Sequence, residues 1–232
     1  MGKVEEIMTT THGFAPIRPG LLVTQIHQKL REAILDGTLR PGDALRDSVI
    51  AEQMKVSRSP VREALRLLEA AGLTTKDPNR SYVVLEFGED DLRELAGMRL
   101  AYETLAVRLI VHSDKAVGDF SLQLKALRAA LTSGSQAAIA AADRVFHSSL
   151  VALSGNSRLI EGYGRIQDQV ELTLISTDAP NRGSDGMVER HELLVQLLTE
   201  AASRGQSGDV VAELESHILQ GMGCPSLLPP LH

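Results

Sequence analysis

Apolar residues recur at helical spacing over most of this chain, and a single stretch of strand-like alternation interrupts the rhythm. Val23 to Leu35 predicts an amphipathic helix with Ile26, Leu30, Ala33 and Ile34 as its stripe, ended by the turn Leu39-Arg40-Pro41-Gly42. Asp47 to Met54 predicts a short helix with Val49, Ile50 and Met54 turned inward, and Lys55-Val56-Ser57 is a tight connection to the next. That next helix lies within Val56 to Leu73, where Val61, Ala64, Leu65, Leu68 and Ala71 make an inward face. Ser57 or Ser59 can cap its start, and Pro60 is tolerated in a first turn because its missing N–H would have no helical partner there. After Gly72, TTKDPNRSYVVLEF predicts two short strands around the turn Asp77-Pro78-Asn79-Arg80, since Tyr82, Val83, Val84 and Leu85 favour extended backbone.

Gly88-Glu89-Asp90-Asp91 reads as a hinge that caps the following helix, and beyond it strand signals vanish. Helical periodicity then runs in five or six segments, at about 89–112, 115–132, 135–154, 157–177, 186–204 and 208–220, separated by Gly-, Ser- and Asp-containing breaks. Short connections of this kind predict an antiparallel bundle. The expected fold class is mainly α: an N-terminal winged helix-turn-helix (three helices plus a small β-wing) followed by an antiparallel all-α helical bundle. The expected divisions are a mobile N-terminal arm at 1–20, the winged unit at 21–86, the helical domain at 87–220 and a flexible tail at 221–232, whose last eleven residues hold three prolines.

Composition narrows this picture. With 232 residues, 43% of them hydrophobic, the chain can bury two cores, and with no Trp and few other aromatics those cores must be Leu, Ile, Val and Ala, which suits packed helices. The single cysteine, Cys224, excludes an intrachain disulfide. No apolar run approaches the ~20 residues of a membrane span, and Met1 to Gly20 lacks the apolar core of a signal peptide, so the expected location is cytoplasmic. The net charge of −6 divides unevenly: residues 1–85 carry 12 Lys/Arg against 10 Asp/Glu, and residues 86–232 carry 12 against 20. The cationic excess therefore stays with the winged unit.

Two constellations carry chemistry. Arg58 and Arg62, four apart on one helical face, can point both guanidinium forks into one groove, as a helix must if its first turns are to meet phosphates and base edges. Asp143 and His147 are likewise four apart, and His191 and His217 lie on the last two predicted helices. Should those helices pack beside one another, a carboxylate and three imidazoles converge, a set suited to divalent zinc, nickel or manganese. Spacing alone leaves capping or surface histidines as the alternative.

The runs AILDGTLRPGDAL and IAEQMKVSRSPVREALRLLEAAGL closely resemble the winged-helix DNA-binding domain of GntR-type transcription regulators, over about residues 21–86. Ser81 departs from the glycine usual at the wing tip. DRVFHSSLVALSGN is similar to the DxxFHxxLxxxxGN signature of the all-helical FCD effector domain found in the FadR-like subgroup, and DLRELAGMRLAYETLAVRLI resembles that domain's opening helix. This second resemblance covers nearly all of 89–220. Arg190 stands where family members commonly place Glu, with Glu189 one residue earlier.

The resemblance implies a ligand-responsive homodimeric regulator, most often a repressor, on a pseudo-palindromic double-stranded operator, rather than an enzyme. Arg58 and Arg62 would make base or phosphate contacts and Ser59 a shorter one, while Arg46, Lys55 and Arg80 would meet the backbone. Asp143, His147, His191 and His217 would hold the metal. Four protein ligands on a six-coordinate ion would leave two positions for a small carboxylate effector. Arg99 would be a second anchor for that acid, or else pair with Glu103 on the bundle exterior. Tyr102 and Asn156 would line the cavity, unless Asn156 caps the following helix. Two other readings remain open: a metal-dependent hydrolase, for which no HExxH motif or general base is visible, and a DNA-binding protein whose helical half serves only dimerisation.

Overall fold

The computed structural model describes residues 21–76, 81–113, 117–176, 186–224 and 226–227. Its first part holds α1 (Leu21–Leu35), β1 (Ala44–Leu45), α2 (Asp47–Met54), α3 (Arg58–Ala70), β2 (Thr74–Lys76) and β3 (Tyr82–Val84). Ile26, Leu30 and Ile34 of α1 meet Ile50 of α2 and Val61, Ala64, Leu65 and Leu68 of α3 in one core, so the apolar stripes close a three-helix unit. Lys55 ends α2 in the left-handed region at φ 53°, which turns the chain sharply into α3. Ser57 occupies the N-cap position of α3, though its side chain makes no capping bond.

One expectation for this unit is corrected. Val49 is 44% exposed; Ile50 and Ala51 supply the buried face of α2 instead, because an eight-residue helix that packs on one side buries only a narrow arc. The two strands expected for the wing are β2 and β3, and β1, which the sequence did not reveal, joins them in a three-stranded antiparallel sheet of order β1-β3-β2, with Ala44 opposite Val83. β1 covers the second edge of β3, whose backbone groups would otherwise be unpaired, and a two-residue strand is too short to show a period. The arm at 1–20 and the tip residue Arg80 lie outside the described residues.

The second part is helical: α4 (Glu89–Val111), α5 (Ser121–Ser133), α6 (Gln136–Leu153), α7 (Ser157–Gly164), α8 (Gln167–Ser176), α9 (Met187–Arg204) and α10 (Gly208–Gly221). Asp91 caps α4 by accepting from the Gly88 backbone N–H at 2.8 Å. Leu100, Val107, Phe146, Leu150, Leu198 and Leu214 are among the residues that fill a core shared by α4, α6, α9 and α10. The segment expected as one helix over 157–177 is broken at Arg165–Ile166, where the backbone makes tight bonds to Gly162 and Tyr163. Gly162 lies so close to the Tyr102 ring that a Cβ there would come within 2.8 Å of it.

The break redirects α8 toward the winged unit. Leu172 is fully buried in the winged unit's core, the Gln169 side chain donates to the Ala71 carbonyl at 3.2 Å, and Arg31 of α1 grips Asp168 bidentately at 2.5 and 2.6 Å. The C-terminal segment also differs from the expected trailing tail. Met222 and Cys224 are buried in the bundle core, because apolar side chains at this end gain more by covering α10 than by facing water.

Candidate nucleic-acid interface and metal centre

The first turn of α3 and the wing face each other across a cleft of about 870 Å³, lined by Arg46, Asp47, Ser48, Arg58, Arg62 and Lys76 among others. The Arg58 and Arg62 side chains are 57% and 62% exposed, and both reach back to Asp47 at the start of α2, Arg58 at 2.9 Å. Burial pulls the Asp47 carboxyl upward, but hydrogen bonds from the two guanidinium groups outweigh it and hold its pKa below the usual range. Asp47 thus ties both forks to the start of α2. Ser59, Lys55 and Arg46 are exposed. Lys76, on β2, and Ser48 were not singled out by sequence; the only available signal was a cation at the end of a predicted wing strand.

The metal candidates lie on three helices. α6 supplies Asp143 and His147, α9 supplies His191, and α10 supplies His217. All four are buried, and one donor atom from each lies within 4.8 Å of the others. The hydrogen bonds behind them fix the tautomers. His147 Nδ1 donates to Glu103 Oε2 at 2.6 Å and His191 Nδ1 donates to the Met187 carbonyl at 2.7 Å, both acceptors without protons of their own. Their Nε2 atoms therefore carry lone pairs when the rings are neutral. His147 Nε2 sits 3.1 Å from His217 Nε2 and 3.5 Å from Asp143 Oδ1, and His191 Nε2 sits 3.2 Å from the same oxygen.

Where two lone pairs face each other, as those of His191 Nε2 and Asp143 Oδ1 do at 3.2 Å, they repel unless a cation, proton or metal ion, lies between them. This donor set, oriented from behind by a carboxylate and a carbonyl, therefore fits a divalent ion. Burial disfavours charge on His147, yet Glu103 and Asp143 outweigh it and raise its pKa; on His217 burial and the neighbouring rings act together and push the pKa well down. Burial would also raise the Asp143 carboxyl, but His147 and Arg99 hold it well below its ordinary value.

Arg99 and Glu103 resolve an alternative the sequence left open. They do pair, with Arg99 Nε donating to Glu103 Oε1 at 2.7 Å, but in the interior: Arg99 is 2% exposed and Glu103 0%. Arg99 also donates to Asp143 at 3.3 Å, and the Tyr163 hydroxyl donates to Glu103 at 2.8 Å. Burial alone would raise the Glu103 carboxyl; His147 and Arg99 hold it down to about 2. Glu103 as the orienting partner of His147 was missed by sequence. Its signal was its place on the apolar stripe of Leu100, Val107 and Ile110.

A cavity of about 50 Å³ adjoins the cluster, with Arg99, Asp143 and His217 on its wall together with Leu174, Met187 and Arg190. His217 Nδ1 has no hydrogen-bond partner among the described residues. The other two effector-site candidates lie elsewhere. Tyr102 packs edge-on against Tyr163 with centroids 6.0 Å apart and lines no part of the cavity. Asn156 takes the capping alternative, accepting from the Arg158 and Leu159 N–H groups at the start of α7, so its side-chain oxygen is committed there.

A winged helix-turn-helix with exposed guanidinium forks, joined to a helical bundle, defines a DNA-binding transcription regulator. Comparison agrees: residues 22–84 match the gntR family of bacterial regulatory proteins and residues 94–219 match the FCD domain, so the chain belongs to the GntR family, with an FCD domain. It is 30% identical over 205 residues to a probable D-xylose utilization operon transcriptional repressor of Paenarthrobacter nicotinovorans, covering 85% of this chain and 84% of the relative. It is 26% identical over 182 residues to the HTH-type transcriptional regulator YdhC of Bacillus subtilis, covering 77% and 81%. Among solved structures, a GntR transcriptional regulator from Rhodococcus sp. RHA1 superposes with a TM-score of 0.71 at 28% identity, covering 85% of this chain and 97% of that one. Escherichia coli McbR/YncC shares the fold, with a TM-score of 0.67 at 24% identity, covering 88% and 97%. No helix among the described residues is long and apolar enough to cross a membrane.

Proposed function

We propose that this regulator is a homodimeric repressor that reads a pseudo-palindromic operator through Arg58, Arg62 and Ser59. Arg46, Lys55 and Lys76 add backbone contacts, and Arg80 belongs to the same set by its place in the sequence, within the turn expected between the two wing strands. The bundle senses a small carboxylate through a divalent ion, zinc, nickel or manganese, held by Asp143, His147, His191 and His217. The observation that carries the sensing half is the gathering of four buried donors within 4.8 Å. An ion held there supplies coordination positions for a carboxylate's oxygens. The chain's own groups do the rest. Arg99 balances the Asp143 and Glu103 carboxylates, Glu103 locks the His147 ring, and His217 Nδ1 offers a donor that a bound acid can satisfy.

Glu103 gives a direct check. In Glu103→Gln the acceptor of the His147 proton loses its charge while the packing volume is nearly kept, so metal affinity should fall by about 10- to 100-fold. Competition titration against a chromogenic chelator reads this, and an unchanged affinity would remove Glu103 from the site.

The connection between the two halves runs through α8. Leu174 lines the cavity while Leu172 sits in the core of the winged unit. Arg144, which follows the ligand Asp143, contacts Asp168 at 3.2 Å, and Asp168 holds Arg31. An acid that binds two α8 placements unequally would move the readers with it. For metal-loaded protein titrated onto a duplex selected from a random pool, a small acid such as malate should change DNA affinity by about 5- to 150-fold, the usual range of such coupling. Asp168→Ala should keep acid binding, measured calorimetrically, and lose most of that change. A full response in the variant would place the connection elsewhere.

A further inference from the structure

Among the described residues that line the cleft between α3 and the wing, four are cations, Arg46, Arg58, Arg62 and Lys76, and one is a carboxylate, Asp47. A surface that meets a polyanion gains nothing from an anion unless the anion discriminates between ways of binding. Asp47 accepts from Arg58 Nη2 at 2.9 Å on Oδ1 and from Arg62 Nε on Oδ2. Burial pulls this carboxyl up, but hydrogen bonds from both guanidinium groups hold its pKa below the usual range, so it meets DNA ionised. Bulk attraction is weak as well: residues 1–85 carry 12 Lys/Arg against 10 Asp/Glu, so recognition depends on where the charges stand.

We infer that Asp47 is a positioning residue that sets the specificity of the DNA interface, by penalising phosphate contacts of Arg58 and Arg62 more than their contacts to base edges. The inference rests on the reading of Arg58 and Arg62 given above. A phosphate held by either fork lies within the ~8 Å screening length of physiological salt from the carboxylate that holds the same fork, so two full negative charges repel. A guanine edge offers N7 and O6, acceptors without net charge, and loses far less to the same carboxylate. Repulsion that falls more heavily on one mode of binding raises selectivity without adding a contact. The tether acts in the same direction: with Nε on Asp47, Arg62 keeps its Nη1 and Nη2 edge for a bidentate contact.

Asp47→Asn, nearly the same size without the charge, tests this in the full chain. Fluorescence anisotropy compares two duplexes of equal length, the selected operator and one with scrambled half-sites, over a range of salt. Affinity for the scrambled duplex should rise, its salt slope should steepen by about one, and the preference for the operator should fall about fivefold or more. Asp47→Glu, which keeps the charge, should keep the wild-type slope and most of the preference. Asp47 also stands in the first turn of α2, where a carboxylate favours the helix. Were that its whole role, Asp47→Asn would weaken binding to both duplexes alike, and such a result overturns the inference. A loss at the operator alone, with the scrambled duplex unaffected, overturns it too, because Asp47 would then read a base itself. Asp47→Ser serves the same purpose should Asp47→Asn fail to fold. The Arg58→Ala, Arg62→Ala variant runs alongside: unchanged operator affinity there removes the reading beneath this inference, whereas loss there with wild-type slope and preference in Asp47→Asn removes the inference alone.

Discussion

Replacing Arg58 and Arg62 together by alanine is expected to abolish recognition of the operator while leaving the fold intact. Both side chains are more than half exposed and touch the rest of the protein through Asp47. A surface ion pair of this kind contributes about 0–1 kcal/mol, so melting should shift little. Loss at the DNA is larger. Each well-placed guanidinium contact to a base is worth about 1–3 kcal/mol, so two of them cost roughly 30-fold or more in affinity at a single half-site. Fluorescence anisotropy against the selected duplex reads this, and the same titration at several salt concentrations separates base from phosphate contacts, since each lost phosphate contact flattens the salt slope by about one. Wild-type affinity in the folded double variant would show that α3 is not the element that reads DNA.

The second large effect is at the metal centre. Protein purified without chelator should carry about one divalent ion per chain by elemental analysis, and His147→Ala combined with His191→Ala should carry none. Two imidazoles gone leave one carboxylate and one imidazole of the four donors, too few to retain the ion through dialysis. The variant should also be less stable even before metal is considered. His147 is one of the buried partners of Glu103 and Asp143, and because Arg99 still pairs with both, its loss should cost less than the about 3–5 kcal/mol of a fully unpaired buried charge. Circular dichroism and thermal melting therefore accompany the metal measurement. Chelation of the wild type should lower its melting temperature with the fold retained, because the bundle core of Phe146, Leu150, Leu198 and Leu214 does not depend on the ion. A folded double variant that still held one ion would mean that the ligands are others.

Sequence by itself determined the winged unit and the rough extent of most bundle helices, though not their number, since the one segment expected at 157–177 is two helices. In the stripe Val61, Ala64, Leu65 and Leu68, spacing along a single helix fixes which face is buried and hence which face presents Arg58 and Arg62, and no distant residue is needed to decide it. It also placed Asp143 and His147 on one face of α6. Only the tertiary structure decided the rest. Convergence of His191 and His217 on that face depends on how α9 and α10 pack against α6, and periodicity reports that a face is buried without saying against what. The same limit hid the interior place of the Arg99–Glu103 pair, which by spacing alone fits an exterior helix surface equally well. It also hid the break before α8, where unbroken apolar spacing gave no reason to expect Leu172 to leave the bundle for the core of the winged unit. Local patterns are set by neighbours a turn away; a site or a domain contact is set by side chains that only packing brings together.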